Sequence, residues 1–310
     1  MLEKFKRIMA RYPYAAQLAP GGFVIDGKPA LTKIDGGLIG DYVIMVVRDP
    51  LLDYGGDPAE LLSQRLENRV LAGRSGMFTT YSGRYKGAHI SIVSGGSGSP
   101  EAELVLVEFM QNSKANTFLR LGGGMALSEK LHSGDVAIAS GVVRDEGMTS
   151  AYVTSSYPAV CSYELVACFV KAAQELNYRY QVGIGRSQDS EYLQTGHPSV
   201  GSYFQDEHLS IVDYYNRAGI LYTDRESAAI VTLCSLFGRR GGAVVSCLLY
   251  TSLRCQASEG RTKRGPWSIS RFRIPPEYQG RSLFSHAGIH RKAPAGGYAQ
   301  KFCPAAPCGS

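Results

Sequence analysis

From Tyr42 to Leu249, short runs of consecutive apolar residues take turns with longer segments in which apolar residues recur every three or four positions. The runs "YVIMVV" (42–47), "HISIV" (89–93), "TFLRL" (117–121), "DVAIASGVV" (135–143), "QVGIG" (181–185) and "GGAVVSCLL" (241–249) read as buried strands, because a strand with one wet face would alternate apolar with polar. The segments 58–71, 100–112, 162–176, 207–219 and 225–238 read as helices with an apolar stripe turned to a core. Such alternation predicts a single α/β domain with a central mixed, mostly parallel twisted sheet flanked by helices. No repeat and no linker interrupts it before residue 250.

From Thr251 onward Gly, Pro, Ser, Arg and Lys dominate, and neither period survives. The expected organisation is therefore one domain over 1–250 and a basic, Gly/Pro-rich tail over 251–310, poorly ordered or an aberrant end. The tail also accounts for the net charge of +6: it holds ten Lys/Arg against Glu259 and Glu277, which leaves 23 basic and 25 acidic residues in the rest. The body thus has no excess of positive charge to recruit a polyanion, and nucleic acid is not expected as a partner. No apolar run nears the ~18 residues that span a bilayer, and the opening "MLEKFKRIMARYPYAAQ" lacks the apolar stretch of a signal peptide. A cytoplasmic protein with no membrane association is expected. The seven cysteines form no CxxC pair, and Cys161, Cys168 and Cys234 fall in apolar stretches, which suits reduced core thiols rather than zinc or disulfides.

Two glycine-rich stretches carry candidate chemistry. "TFLRLGGG" sets Arg120 inside an apolar run and follows it with a turn through Gly122, Gly123 and Gly124, placing a fixed cation beside backbone amides that no side chain shields. That combination suits phosphate. "VSGGSGSPEAELVLVEF" runs from a strand through Gly95, Gly96 and Gly98 into a helix opened by Pro100, so its free N–H groups can also face an anion. Taken alone, either turn is more often a plain connection than a ligand site.

The two turns in this order, together with the segments around them, carry a resemblance. "TFLRLGG", "LHSGDVAIASGVVRDEGMTSAYVTSSYPAVCSYELVACFVKAAQEL", "GILYTDRESAAIVTLCSLFG", "VVRDP" (46–50) and "LTKID" (31–35) resemble the uridine phosphorylase branch of the nucleoside phosphorylase family, across residues 28–249. The resemblance implies a catalytic domain over 1–250 that performs phosphorolysis: phosphate attacks the anomeric carbon of uridine or a related nucleoside, releasing free base and ribose 1-phosphate. It implies inorganic phosphate as co-substrate and no cofactor. Arg120 would bind phosphate with Gly123 and Gly96 beside it, and Glu226 would accept hydrogen bonds from the ribose hydroxyls, a task suited to the two oxygens of a carboxylate. A homodimer or homohexamer is implied, its sites completed by Lys28 or Arg74 of the partner subunit. A nucleoside hydrolase, a purine-directed phosphorylase on the same scaffold and a non-catalytic nucleoside-binding relative stand as alternatives.

Several positions depart from the family's pattern. The arginine of its "GDPxR" turn is Leu52, with Arg48 as the nearby substitute; the threonine of "R-x-G-T" is Gly123; the methionine that covers the ribose is Arg225. The histidine before "LTK" is Lys28, and Arg74 stands two residues away from the arginine expected before "FTT". In the base loop "SQDSEYLQTGHPSVGSY", Thr195 and His197 take the places of the family's glutamine and arginine, with Tyr192 and Gln194 alongside. His197 is suited to donate to a base carbonyl or to protonate a departing base near neutral pH. The acidic ligand that holds a monovalent cation in part of the family is Met77, so no metal is expected.

Overall fold

The computed structural model of the protein describes residues 2–11, 22–48 and 55–250. In chain order the elements are α1 (Leu2–Met9), β1 (Val24–Ile25), β2 (Lys28–Pro29), β3 (Tyr42–Val47), α2 (Pro58–Ser63), β4 (Glu67–Arg74), β5 (Thr79–Tyr85), β6 (Ala88–Gly95), α3 (Ser99–Asn112), β7 (Thr117–Ala126), β8 (Val136–Asp145), β9 (Ala159–Val160), α4 (Tyr163–Glu175), β10 (Tyr180–Gln188), α5 (Asp206–Arg217), β11 (Tyr222–Asp224), α6 (Ser227–Leu236) and β12 (Arg240–Tyr250). All six expected strands form, as β3, β6, β7, β8, β10 and β12. The tail and Leu52 lie outside the described residues.

One sheet carries the domain, with strands in the order β11-β10-β8-β12-β7-β3-β6-β5-β4 and β9 paired to β8. It is mixed: β3 runs parallel to β6 and β7, β12 to β7, and β10 to β8 and β11. Antiparallel pairs make the β4–β5–β6 edge and join β12 to β8. Alternate residues of the central strands feed two cores. Val43, Met45 and Phe118 pack with Leu106 and Phe109 of α3 and Ile230 and Leu233 of α6. Ile44, Val46 and Leu119 pack on the other face with Ala59 of α2 and Leu165 and Phe169 of α4. Residues 227–234 of helix α6 are all buried, so that stretch has no solvent-facing side.

Three expectations are corrected. Helix α5 turns no stripe into a core: Ile211, Val212 and Tyr215 are only half-buried and none of its residues is buried. Segment 58–71 is helical only through Ser63; Glu67, Val70 and Leu71 instead pair with Arg84, Ser82 and Tyr81 of β5. Leu62 and Leu66 do face the core at helical spacing, but Asn68 has a left-handed backbone (φ 49). The non-local ladder with β5 takes the rest of the segment. The glycines after Arg120 do not form a turn either. Gly122, Gly123 and Gly124 continue β7, opposite Val245, Ser246 and Cys247 of β12. Gly124 lets β11 close in, since a Cβ there would lie 2.5 Å from Val245 Cγ1 and 2.9 Å from the Thr223 carbonyl. The antiparallel contact of β11 with β7 closes β7, β12, β8, β10 and β11 into a ring.

The expected core thiols are found, since Cys161, Cys168 and Cys234 are buried and form no disulfide, and Cys247 is buried with them. Burial pushes the thiols of Cys161 and Cys247 up to about 12. Among the described residues no helix is long and apolar enough to cross a membrane.

Candidate active site

The carboxyl ends of β3, β6 and β7 meet the junction between β11 and α6, where the buried Arg120, Asp224 and Glu226 come together. Arg120 projects from β7, flanked in register by Met45 and Ala243, and is 2% exposed. Its Nη2 donates to Glu226 Oε2 at 3.0 Å and to the Gly123 carbonyl at 2.8 Å, while Nε lies 3.1 Å from Asp224 Oδ2. Neither Nε nor Nη1 has an aligned hydrogen-bond acceptor, although both are buried. Burial disfavours the charge, but Asp224 and Glu226 outweigh it and hold the guanidinium above its ordinary pKa. Glu226 is raised by its own burial, with Arg120 opposing and Asp224 adding repulsion.

Asp224 went unassigned in the sequence although it is the first acidic residue of the "DRES" string. It is the most heavily bonded of the group: Ser187 Oγ donates to Oδ1 at 2.6 Å, and the Ser227 hydroxyl donates to Oδ2. Those serines come from β10 and the first turn of α6, so one carboxylate ties three elements to Arg120.

The glycine turn before α3 is stitched to the same junction. Gly98, at φ 110, donates its N–H to Glu226 Oε1 at 2.6 Å. Arg225 Nη1 donates to Ser97 Oγ at 3.1 Å, and Ser99 Oγ donates to the Arg225 carbonyl at 2.7 Å. Between turn and junction lies a cavity of about 20 Å³, lined by Val46, Val47, Gly95, Gly96, Glu101 and Glu226 among others. It has room for a single water.

Other predicted residues stand apart from this cluster or are committed elsewhere. Arg48, its side chain 42% exposed, donates to Asp57 Oδ2 at 2.6 Å. Asp57 caps α2 through the N–H groups of Ala59 and Glu60 and accepts from Ser94 Oγ. Burial raises its carboxyl, yet the bonds from Ser94 and Glu60 and the charge of Arg48 together hold it below its ordinary value. The string Gly56-Asp57-Pro58 spells the "GDP" turn more fully than Arg48-Asp49-Pro50 does, and that was the available signal for Asp57. Arg74 Nη2 reaches Tyr81 Oη at 3.2 Å and lies 3.8 Å from Glu60. Lys28 is exposed on the β1–β2 hairpin.

The base-loop residues sit beyond the end of β10. Gln194 is spent within the loop, accepting from the N–H groups of Asp189 and Ser190 and donating to the Asp145 carbonyl. Thr195 is buried and donates to the carbonyls of Glu191 and Tyr192; His197 Nδ1 lies 2.9 Å from its hydroxyl. Tyr192 and His197 are exposed. The loop is anchored by a residue that periodicity could not mark as charged and paired: Arg186, fully buried, bonds Asp145 through Nε (2.8 Å) and Nη2 (2.5 Å) and the Gln194 carbonyl through Nη1. Its guanidinium also sits 4.3 Å from the centre of the Tyr215 ring.

The family described as "Phosphorylase superfamily" matches residues 51–260. A uridine phosphorylase of Thermococcus kodakarensis is 36% identical over 167 residues, which span 54% of this chain and 60% of that protein. A guanosine phosphorylase of Halorubrum lacusprofundi is 30% identical over 61% of this chain and 68% of its own length. Among solved structures, the uridine phosphorylase of Vibrio fischeri superposes with a TM-score of 0.62 at 27% identity, covering 73% of this chain and 87% of that one. The chain belongs to the phosphorylase superfamily.

Proposed function

We propose that the protein catalyses the phosphorolysis of a nucleoside, uridine or a close relative, to free base and ribose 1-phosphate. The observation that carries this reading is the buried Arg120, held charged by Asp224 and Glu226 while its Nη1 has no acceptor. A buried donor without a partner costs roughly 1–3 kcal/mol, which an incoming oxyanion recovers. In this reading Arg120 and the turn at Gly96 hold phosphate, with Gly123 beside them in β7. Glu226 accepts from the ribose hydroxyls, and Arg225 takes the place over the sugar.

Phosphate then attacks the anomeric carbon as the bond to the base breaks. Positioning of the two reactants supplies much of the rate, because both are fixed on rigid strand ends. The base points to the loop of Tyr192, Gln194, Thr195 and His197, where His197 is the group able to deliver a proton. Inorganic phosphate is the co-substrate, and the reaction calls for no cofactor. A homodimer or homohexamer would bring Lys28 and Arg74 of the partner subunit to each site, and Arg48 would contribute only by leaving Asp57. The cytoplasm is the compartment that this reading expects.

Relatives bearing the names of uridine and guanosine phosphorylases set the substrate panel. Release of free base from uridine, thymidine, inosine, guanosine and adenosine is measured with and without phosphate. Phosphate-dependent release that Arg120→Ala abolishes is the expected result. Release that ignores phosphate would replace phosphorolysis with hydrolysis, and no release from a folded protein would refute catalysis.

A further inference from the structure

The glycine turn already has an occupant. Glu101, in the first turn of α3, folds back over Gly96 and fills the space a side chain would take there: a Cβ on Gly96 would lie 1.4 Å from Glu101 Oε2 and 2.6 Å from Oε1. Oε2 is buried and accepts no hydrogen bond. Holding a carboxylate oxygen dry and unpaired is unfavourable, and burial raises the carboxyl's pKa, with Arg225 opposing. Arg225 is itself incompletely used, since its Nε is buried without an acceptor. The space left beside Glu101 and Glu226, about 20 Å³, has room for a single water.

We propose that Glu101 is a resident competitor for the phosphate seat: its carboxylate stands where an edge of bound phosphate would lie, and phosphate enters by turning it out toward solvent and taking over Arg225. This deepens the phosphorylase reading above and rests on it. Charge favours the exchange. Asp224, Glu226 and Glu101 already outnumber Arg120 and Arg225, so a phosphate dianion added beside an unmoved Glu101 meets a carboxylate at contact distance. Glu101 is only half-buried, which leaves it a way out. Its neighbour Glu103, by contrast, accepts from the Tyr152 hydroxyl and has no part in the seat.

The test is calorimetric titration of inorganic phosphate, without nucleoside, into the full chain and its Glu101→Gln and Glu103→Gln variants, each checked for folding by a thermal melt. Glu101→Gln is expected to bind phosphate ~10-fold tighter, the equivalent of one pKa unit of removed repulsion. Glu103→Gln, which loses the same charge two residues on, stays within ~2-fold of the parent because side chains two apart on a helix do not face each other and the Glu103 carboxylate is held by the Tyr152 hydroxyl. If Glu101→Gln does not fold, Glu101→Ala replaces it with the same expectation. Equal or weaker binding by the Glu101 variant, or an equal gain in the Glu103 variant, overturns the competitor role and leaves phosphorolysis standing. Failure of all three proteins to bind phosphate overturns both.

Discussion

Replacing Arg120 with Met keeps the length and apolar stem of the side chain and removes the one cation between Asp224 and Glu226. Both carboxylates are then left buried without their counter-charge, at side-chain exposures of 1% and 4%. Removing one partner of a buried ion pair costs ~3–5 kcal/mol, and a domain of this size loses ~2–4 °C of melting temperature per kcal/mol. The variant should therefore melt roughly 6–20 °C lower near neutral pH. The loss should also depend on pH. Glu226 already has a raised carboxyl pKa in the folded protein, and without Arg120 it rises further. A group raised on folding binds its proton before the unfolded chain does, so its stability is fully present below the unfolded pKa and is lost as pH rises through the folded one. Thermal melts at pH 5 and pH 8 should thus show the smaller deficit at pH 5. Restoring neutrality in Arg120→Met/Asp224→Asn/Glu226→Gln should recover most of it. A deficit equal at the two pH values, or below ~2 °C, would refute the coupled buried network.

Glu226→Ala should lower kcat/KM for nucleoside cleavage by ~10- to 150-fold, the loss of a charge-assisted hydrogen bond to substrate, in steady-state assays of the folded variant. Gly98→Ala places a side chain at φ 110 with Arg225 Nη2 3.5 Å from its Cβ, and a melt should show ~1–3 kcal/mol of destabilisation. Glu108, buried in α3, accepts from the N–H groups of Leu31 and Thr32 and from the Thr32 hydroxyl; Glu108→Ala should release that segment, seen as faster proteolysis near residue 30 with α3 still protected. Mapped labelling with a thiol reagent at pH 8 should leave Cys161 and Cys247 unmodified in the native protein and modify them in urea, because burial holds both thiols up near 12.

The central strands and four of the helices are legible because their patterns are local: "YVIMVV" is buried through its middle on both faces, and α3 and α4 carry their stripe within the segment, whereas α5 buries none of its residues and α6 is buried nearly all round. The motifs likewise single out Arg120 and Glu226, which the structure pairs at 3.0 Å. Local pattern could not separate the end of α2 from β4, since Leu62 and Leu66 fit a helix and the competing bonds come from β5. Nor could it foresee that Gly122 to Gly124 stay extended, because their partners on β12 lie more than 120 residues on. The same holds for charge. Arg48 offers the turn an unpaired cation only until Asp57 is brought within 2.6 Å of it, and Glu101 reaches Gly96 only because its helix begins directly after Gly98 and folds it back. A residue's type fixes which charges and donors it offers, but ion pairs and buried space depend on distances of a few ångströms between segments far apart in sequence, and folding alone sets those distances.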